Sequence, residues 1–290
     1  MANPAAQTAF GPMVIVAVEQ LFPPGMRLIQ DDVAYRFLPT GMRALVVMTR
    51  LSSIRAWFIR AMEKKGPGLW GLMPCRKRYI DDKVTEALSA GIETVVNLGA
   101  GLDTRAYRLA ALANVPVFEV DQPENIEYKR TRLQALLGEV PAHVKLVPID
   151  FERQELESAL ASHGHALGRR TFFIWEGVTQ YLTEAGVRKT FEFLARSGRG
   201  SRLAFTYVRK DFIEGSALYG QEEIYQTMRV KNDVWRFGLM PEHIADFLKE
   251  YAWRELEQVG SEELSERYVK PSGRSVPVSA IERIVYAEKL

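Results

Sequence analysis

Two apolar runs in this chain end on residues suited to holding a nucleoside. Val95-Val-Asn-Leu-Gly99-Ala-Gly101-Leu-Asp103 passes from a β-branched run through two glycines into a helix-like segment, and Phe118-Glu-Val-Asp121 ends on a carboxylate 20 positions after Gly101. Glycines let a ligand lie against the main chain. A carboxylate only accepts, so at this spacing it suits the two donor hydroxyls of a ribose. Each signal alone has a plain structural reading: a tight strand-to-helix turn for the glycines, an exposed turn residue for Asp121, and an N-cap or a partner to nearby donors for Asp103. Combined at this spacing, they point to bound adenosine.

Two carriers of adenosine share that geometry. A dinucleotide brings a pyrophosphate that profits from a third glycine and a helix N-terminus, but position 104 is Thr and Asp103 adds negative charge there. S-adenosyl-L-methionine brings a sulfonium cation and no phosphate, so acidic neighbours suit it. The residues favour methyl transfer over hydride transfer.

The elements that must position these groups follow from periodicity. Runs at 93–98, 115–120, 144–149, 171–176 and 202–207 are largely apolar, as strands covered on both faces are. The stretches 104–112, 123–137, 152–162 and 184–197 leave room for helical crossovers, which predicts a doubly wound parallel sheet with its crevice at the strands' carboxyl ends. A helix over 241–250 and strands at 253–259 and 280–287 follow, the last two an antiparallel pair joined by a polar connection containing Pro271, Gly273 and Pro277. In the first 90 residues, Ala44, Val47, Leu51, Ile54, Phe58 and Ala61 recur at helical spacing, which predicts one amphipathic helix packed on the sheet domain. The expected division is a helical cover over 1–90 and a ligand-binding domain over 91–290, with 209–240, rich in Tyr, Met and Phe, as an inserted cover.

Lys plus Arg number 38 against 36 Asp plus Glu, a net charge of +2, so no global field selects nucleic acid as a partner. One cysteine, Cys75, excludes an internal disulfide, and with four histidines a structural zinc site is not expected. His163 and His165 fall in a polar stretch that reads as a loop. The apolar run 13–18 lacks a basic flank and holds Pro12 at its edge, so it does not read as a signal peptide. With no run long enough to span a membrane, the expectation is a cytoplasmic protein.

Beyond these patterns, the sequence resembles the leucine carboxyl methyltransferase-like proteins, which include bacterial and polyketide carboxyl methyltransferases. The motifs are Arg76-Lys-Arg-Tyr79, Asn97-Leu-Gly-Ala-Gly-Leu-Asp-Thr-Arg105, Phe118-Glu-Val-Asp-Gln-Pro123, Pro148-Ile-Asp-Phe151 and Trp175-Glu-Gly-Val-Thr-Gln-Tyr-Leu182. The resemblance implies a class I methyltransferase fold, an α/β Rossmann-like arrangement with a mostly parallel seven-stranded sheet whose last strand is antiparallel. It implies S-adenosyl-L-methionine as cofactor and S-adenosyl-L-homocysteine as product. Carried over by position, it assigns Arg76 to the cofactor's carboxylate, with Arg78 the weaker alternative. Gly99, Ala100 and Gly101 form the backbone floor, Asp121 and Gln122 serve the ribose side, Asp150 and Phe151 the adenine, and Glu176 with Gly177 the methionine portion. Arg105 and Arg108 are expected to pair with acidic neighbours.

The implied acceptor is the carboxylate of a small apolar or amphipathic acid, with a protein C-terminus as another candidate. An ionised carboxylate needs no general base; a hydroxyl acceptor needs one, for which Tyr181, Tyr207 and Glu176 are the candidates. Two other classes compete: a nicotinamide-dependent oxidoreductase, and a non-catalytic partner protein that binds the cofactor without turnover.

Overall fold

The computed structural model describes residues 10–150 and 154–290. Seven strands, β1 (Thr94–Leu98), β2 (Val117–Asp121), β3 (Val144–Pro148), β4 (Thr171–Trp175), β5 (Arg202–Val208), β6 (Trp253–Val259) and β7 (Glu282–Lys289), form one sheet in the order β3-β2-β1-β4-β5-β7-β6. The first five are parallel, and β7 runs antiparallel between β5 and β6. All seven strands fall at the expected positions to within two residues.

Side chains alternate across the sheet. Val95, Phe172 and Ile174 enter one apolar layer, and Val96, Phe173 and Trp175 enter the other. The first layer is covered by α1 (Phe10–Glu19), α4 (Leu69–Ser89) and α5 (Pro123–Leu137), the second by α6 (Leu156–Ser162), α7 (Glu184–Leu194) and α8 (Ile244–Lys249). Burial on both faces is why β1, β2 and β4 carry no exposed position. The chain turns outward from β1 through β2 to β3, then resumes with β4 on the other side of β1. That reversal opens a crevice at the carboxyl ends of β1 and β4.

The cover departs from the sequence pattern. The single helix expected over 44–61 is two, α2 (Thr40–Met48) and α3 (Ser52–Lys65), separated by an extended Leu51. Thr49 donates its hydroxyl to the Val46 carbonyl at 2.7 Å, a local bond that competes with continued helix. The break splits the apolar stripe: Phe58 and Met62 face inward, whereas Leu51 is 64% exposed and Val47 40%. The crossover expected over 104–112 is also shorter, one helical turn at Arg105–Arg108 and one 3₁₀ turn at Ala110–Leu112. Between them the chain is extended at Leu109.

α1 buries every residue from Met13 to Glu19; Pro12 falls in its first turn, where a missing N–H costs nothing. Glu19 fastens this helix to distant parts of the chain. Its carboxylate accepts from Trp70 Nε1 at 2.8 Å and from Leu28 N at 3.2 Å, and pairs with Arg274 Nη1 at 2.7 Å. Arg274 comes from the polar connection before β7. No helix among the described residues is long and apolar enough to cross a membrane.

Candidate active site

A cavity of about 430 Å³ opens at the carboxyl ends of β1, β2 and β4, within the range of small-molecule sites. Two larger surface grooves, about 880 and 560 Å³, lie elsewhere and contain none of Gly99, Asp121 or Glu176.

The two motifs read separately in the sequence are joined here. Gly99 N and Ala100 N both donate to the Val120 carbonyl, at 2.8 and 3.0 Å, and Gly101 N donates to Asp121 Oδ2 at 2.6 Å. Gly99 has φ +72°, and a Cβ there would stand 2.4 Å from Val178 Cγ2, so only glycine fits. Asp121 Oδ1 accepts from Gln122 N and Asn125 Nδ2, both at 2.7 Å. Three N–H donors thus fix the carboxylate, and of its roughly four lone-pair sites one remains for a ligand hydroxyl. Asn125 was not singled out in the sequence; the signal for it is its place one helical turn beyond Asp121.

Arg105 gathers the acidic groups beneath the glycine turn. Its Nε meets Asp81 Oδ1 at 2.7 Å, its Nη1 meets Asp103 and also Glu176 Oε2 at 2.7 Å, and its Nη2 donates to the Lys77 carbonyl at 3.1 Å. Asp103 in turn accepts from Arg105 N at 2.7 Å, closing the turn. Arg108 pairs with Asp81 at 2.7 Å and Asp31 at 3.3 Å. Both arginines therefore bind acidic neighbours, as the sequence suggests.

Arg76 and Glu176 both line the cavity, and they hold each other. Arg76 Nε lies 2.9 Å from Glu176 Oε1, and its Nη1 reaches both Glu282 oxygens at 2.8 and 3.0 Å. Two edges of the Arg76 guanidinium are thus occupied within the protein, a partnership not foreseen because Glu282 lies 206 positions away. Burial would raise the Glu176 carboxyl's pKa, but Arg105, Lys77 and Arg76 outweigh it and hold the group well below the carboxylate range. Asp103 is depressed likewise, burial being outweighed by Arg105 and Lys77. Four carboxylates (Asp103, Asp121, Glu176, Glu282) and two cations (Arg76, Lys77) face the cavity, so it is acidic.

Gly177, with φ +68°, lies against Arg76 and donates its N–H to Thr206 Oγ1 at 2.8 Å. Gln122 and Tyr181 also line the cavity; Arg78 does not, its guanidinium lying 4.9 Å over the Tyr268 ring. Asp150 is half-buried beyond β3, outside the cavity lining, where its N–H donates to Gln154 Oε1 at 2.9 Å. Phe151 lies outside the described residues. Tyr207 is not at the cavity: it is buried on β5, donates to Gln258 Oε1, and burial pushes its hydroxyl pKa up, the wrong direction for a base. His165 packs edge-on against Phe118, 5.3 Å between ring centroids. Among the described residues no cluster of His, Cys, Asp or Glu could hold a metal ion.

Much of the rest of the lining is apolar. Met13 and Ile15 of α1, Met62 of α3, Met73 of α4, and Met228 and Trp235 of the 209–240 segment face the cavity. Sequence reasoning named none of them, since nothing in their local pattern distinguishes them from core.

The leucine carboxyl methyltransferase family model matches residues 9–195. A "Putative S-adenosyl-L-methionine-dependent methyltransferase" of Mycobacterium avium (strain 104) is 38% identical over 174 residues, 58% of this chain and 54% of the relative. One of the same description from Mycolicibacterium gilvum (strain PYR-GCK) is 32% identical over 194 residues, 62% of this chain and 61% of the relative. The chain thus matches little more than half the length of these relatives. Among solved structures, a "putative methyltransferase" from Thermobifida fusca aligns with TM-score 0.61 at 19% identity, covering 92% of this chain and 98% of that one. A duf574 family protein from Streptomyces avermitilis aligns with TM-score 0.55 at 16% identity, covering 80% and 88%. At those identities the likeness is one of fold, and the fold is the class I methyltransferase arrangement. With the family model spanning more than half of its residues, from the cover through α7, the chain belongs to the leucine carboxyl methyltransferase family.

Proposed function

We propose that the chain binds S-adenosyl-L-methionine in the strand-tip cavity and transfers the methyl group to a carboxylate oxygen of a small apolar or amphipathic acid, leaving S-adenosyl-L-homocysteine. The observation that carries this reading is the acidic cavity around the Gly99–Asp103 turn and Asp121. A pyrophosphate would meet four carboxylates there, whereas a sulfonium with an ammonium finds counter-charge. Family membership supports the same reading over the nicotinamide alternative.

When bound, the cofactor supplies an electrophilic methyl carbon on a sulfonium. Asp121, already oriented by three donors, accepts from the ribose; Gln122 flanks it, and Asp150 with Phe151 remain the adenine-side residues implied by the resemblance. Glu176, Gly177 and Arg76 surround the amino-acid portion. An ionised acid needs no proton removed at neutral pH. What the chain provides is alignment and a dry wall, and alignment alone can contribute about 7 to 11 kcal/mol. Within residues 10–90 and 209–240, Met13, Met62, Met73, Met228 and Trp235 cover the site and exclude water from the reacting groups.

The test is transfer of a labelled methyl group to a panel of apolar acids and matched alcohols. A base-labile methyl ester on at least one acid is expected. Label confined to alcohols, or cofactor binding with no transfer to any acid, contradicts the carboxylate reading and supports respectively the hydroxyl acceptor, with Tyr181 as its base, or the non-catalytic alternative.

A further inference from the structure

Two residues that line the cavity each carry a buried polar atom with no partner. The indole Nε1 of Trp235 and the amide Oε1 of Gln180 are buried and unbonded, on residues 9% and 4% exposed, and both residues line the cavity that holds Glu176 and Gly177. The main chain keeps them close. The Gln180 carbonyl accepts from Arg236 N at 2.6 Å and Phe237 N at 3.4 Å, which sets residues 235–237 against the turn after β4. The Trp235 ring stands edge-on to Tyr181, 6.4 Å between centroids.

An unpaired buried donor or acceptor is costly, and the neighbouring side chains of Ile224, Met228 and Ile281 offer no hydrogen bond. An orphan of this kind is not by itself a site. Trp253 Nε1 is equally unpaired, but Trp253 sits within the core against Phe173 and borders no cavity described above. Gln180 and Trp235 differ in that both residues line the cavity and their unpaired atoms have opposite polarity.

An indole N–H only donates and an amide carbonyl only accepts. A carboxylate could satisfy the first but not the second; a hydroxyl satisfies both. We propose that the acceptor acid carries a hydroxyl group on its apolar chain, which accepts from Trp235 Nε1 and donates to Gln180 Oε1. The pair then selects hydroxylated apolar acids over plain ones and fixes how far the acid enters, while its carboxylate faces the strand tips. A site built to bond a hydroxyl discriminates strongly against an analogue lacking it, because its own polar groups are then left unpaired. This inference rests on the carboxylate reading of the same cavity.

The experiment titrates medium-chain acids, each paired with counterparts hydroxylated at successive interior carbons, onto the protein by calorimetry, with and without S-adenosyl-L-homocysteine. At least one hydroxylated acid is expected to bind about tenfold more tightly than its plain partner. Trp235→Phe and Gln180→Met, which keep the apolar bulk, should each reduce that ratio to about threefold or less and leave S-adenosyl-L-homocysteine affinity unchanged. If Trp235→Phe does not fold, Gln180→Met alone decides. The inference is overturned if no hydroxylated acid binds better than its plain partner, or if the preference survives substitution. Binding is read without turnover, so a protein that selects hydroxy acids but methylates none contradicts the proposed reaction and leaves this selectivity standing.

Discussion

By the glycine turn Arg105 bridges Asp81, Asp103 and Glu176, while elsewhere in the lining Met62, Met73 and Met228 present thioethers that fix nothing by direction. One wall is a network of buried charges with named partners; the other is an assembly of flexible apolar side chains from segments far apart in the chain. The contrast implies a division of labour. A directional wall suits one invariant ligand, and an unbranched, polarisable wall adapts to ligand shape.

Substitutions can break or sharpen that contrast. The largest effect is expected for Arg105→Met, which takes one cationic partner from each of three buried carboxylates while Asp81 keeps Arg108 and Glu176 keeps Arg76: a loss of about 3 to 5 kcal/mol in urea unfolding, as for removal of one partner from a buried ion pair. A loss under about 1 kcal/mol would mean that the network is not what holds this wall. Asp121→Ala comes next, weakening S-adenosyl-L-homocysteine binding by about 1 to 3 kcal/mol in calorimetry, with the acid acceptor's KM little changed.

Gly99→Ala adds a Cβ at φ +72°, 2.4 Å from Val178 Cγ2. About 1 to 3 kcal/mol of stability should be lost, and Val178→Ala should restore part of it in the double variant. On the apolar wall, Met73→Ala should raise the acceptor's KM several-fold, about 1 kcal/mol for the apolar surface removed, without altering cofactor affinity; a matching loss of cofactor affinity would blur the two walls into one.

The smallest effect is a pH slope. The His165 pKa is lowered by burial and then by Arg169, from its ordinary 6.5. The unfolded chain therefore binds the proton more readily, so stability is full above pH 6.5 and declines as pH falls from there toward the lowered value. Replacing His165 with Phe should flatten that slope in a pH series of unfolding curves.

The two walls also differ in how readily sequence discloses them. Gly99, Gly101 and Asp121 are legible because ligand chemistry dictates residue type and the β-turn-α-β unit fixes their separation. β1, β2 and β4 are legible because burial on both faces leaves near-continuous apolar runs. The long contacts are not. Nothing near Arg76 announces Glu282, and nothing near Glu19 announces Arg274, because those pairs are set by the closing of the sheet and by the docking of α1. Met13, Met62 and Trp235 look like any core residue until the elements are assembled. The split between α2 and α3 was hidden because periodicity records a face and is insensitive to one local bond at Thr49.

The central claim, that the strand tips hold an adenosyl sulfonium compound, is tested most directly by a crystal structure of the protein with S-adenosyl-L-homocysteine. The account predicts a ribose hydroxyl on Asp121 with Gln122 flanking it, the adenine toward Asp150, and the amino-acid tail among Arg76, Glu176 and Gly177, with the apolar wall left for the acceptor. Density for the compound in either of the larger surface grooves, or a strand-tip cavity closed by side chains with no compound bound, would contradict it.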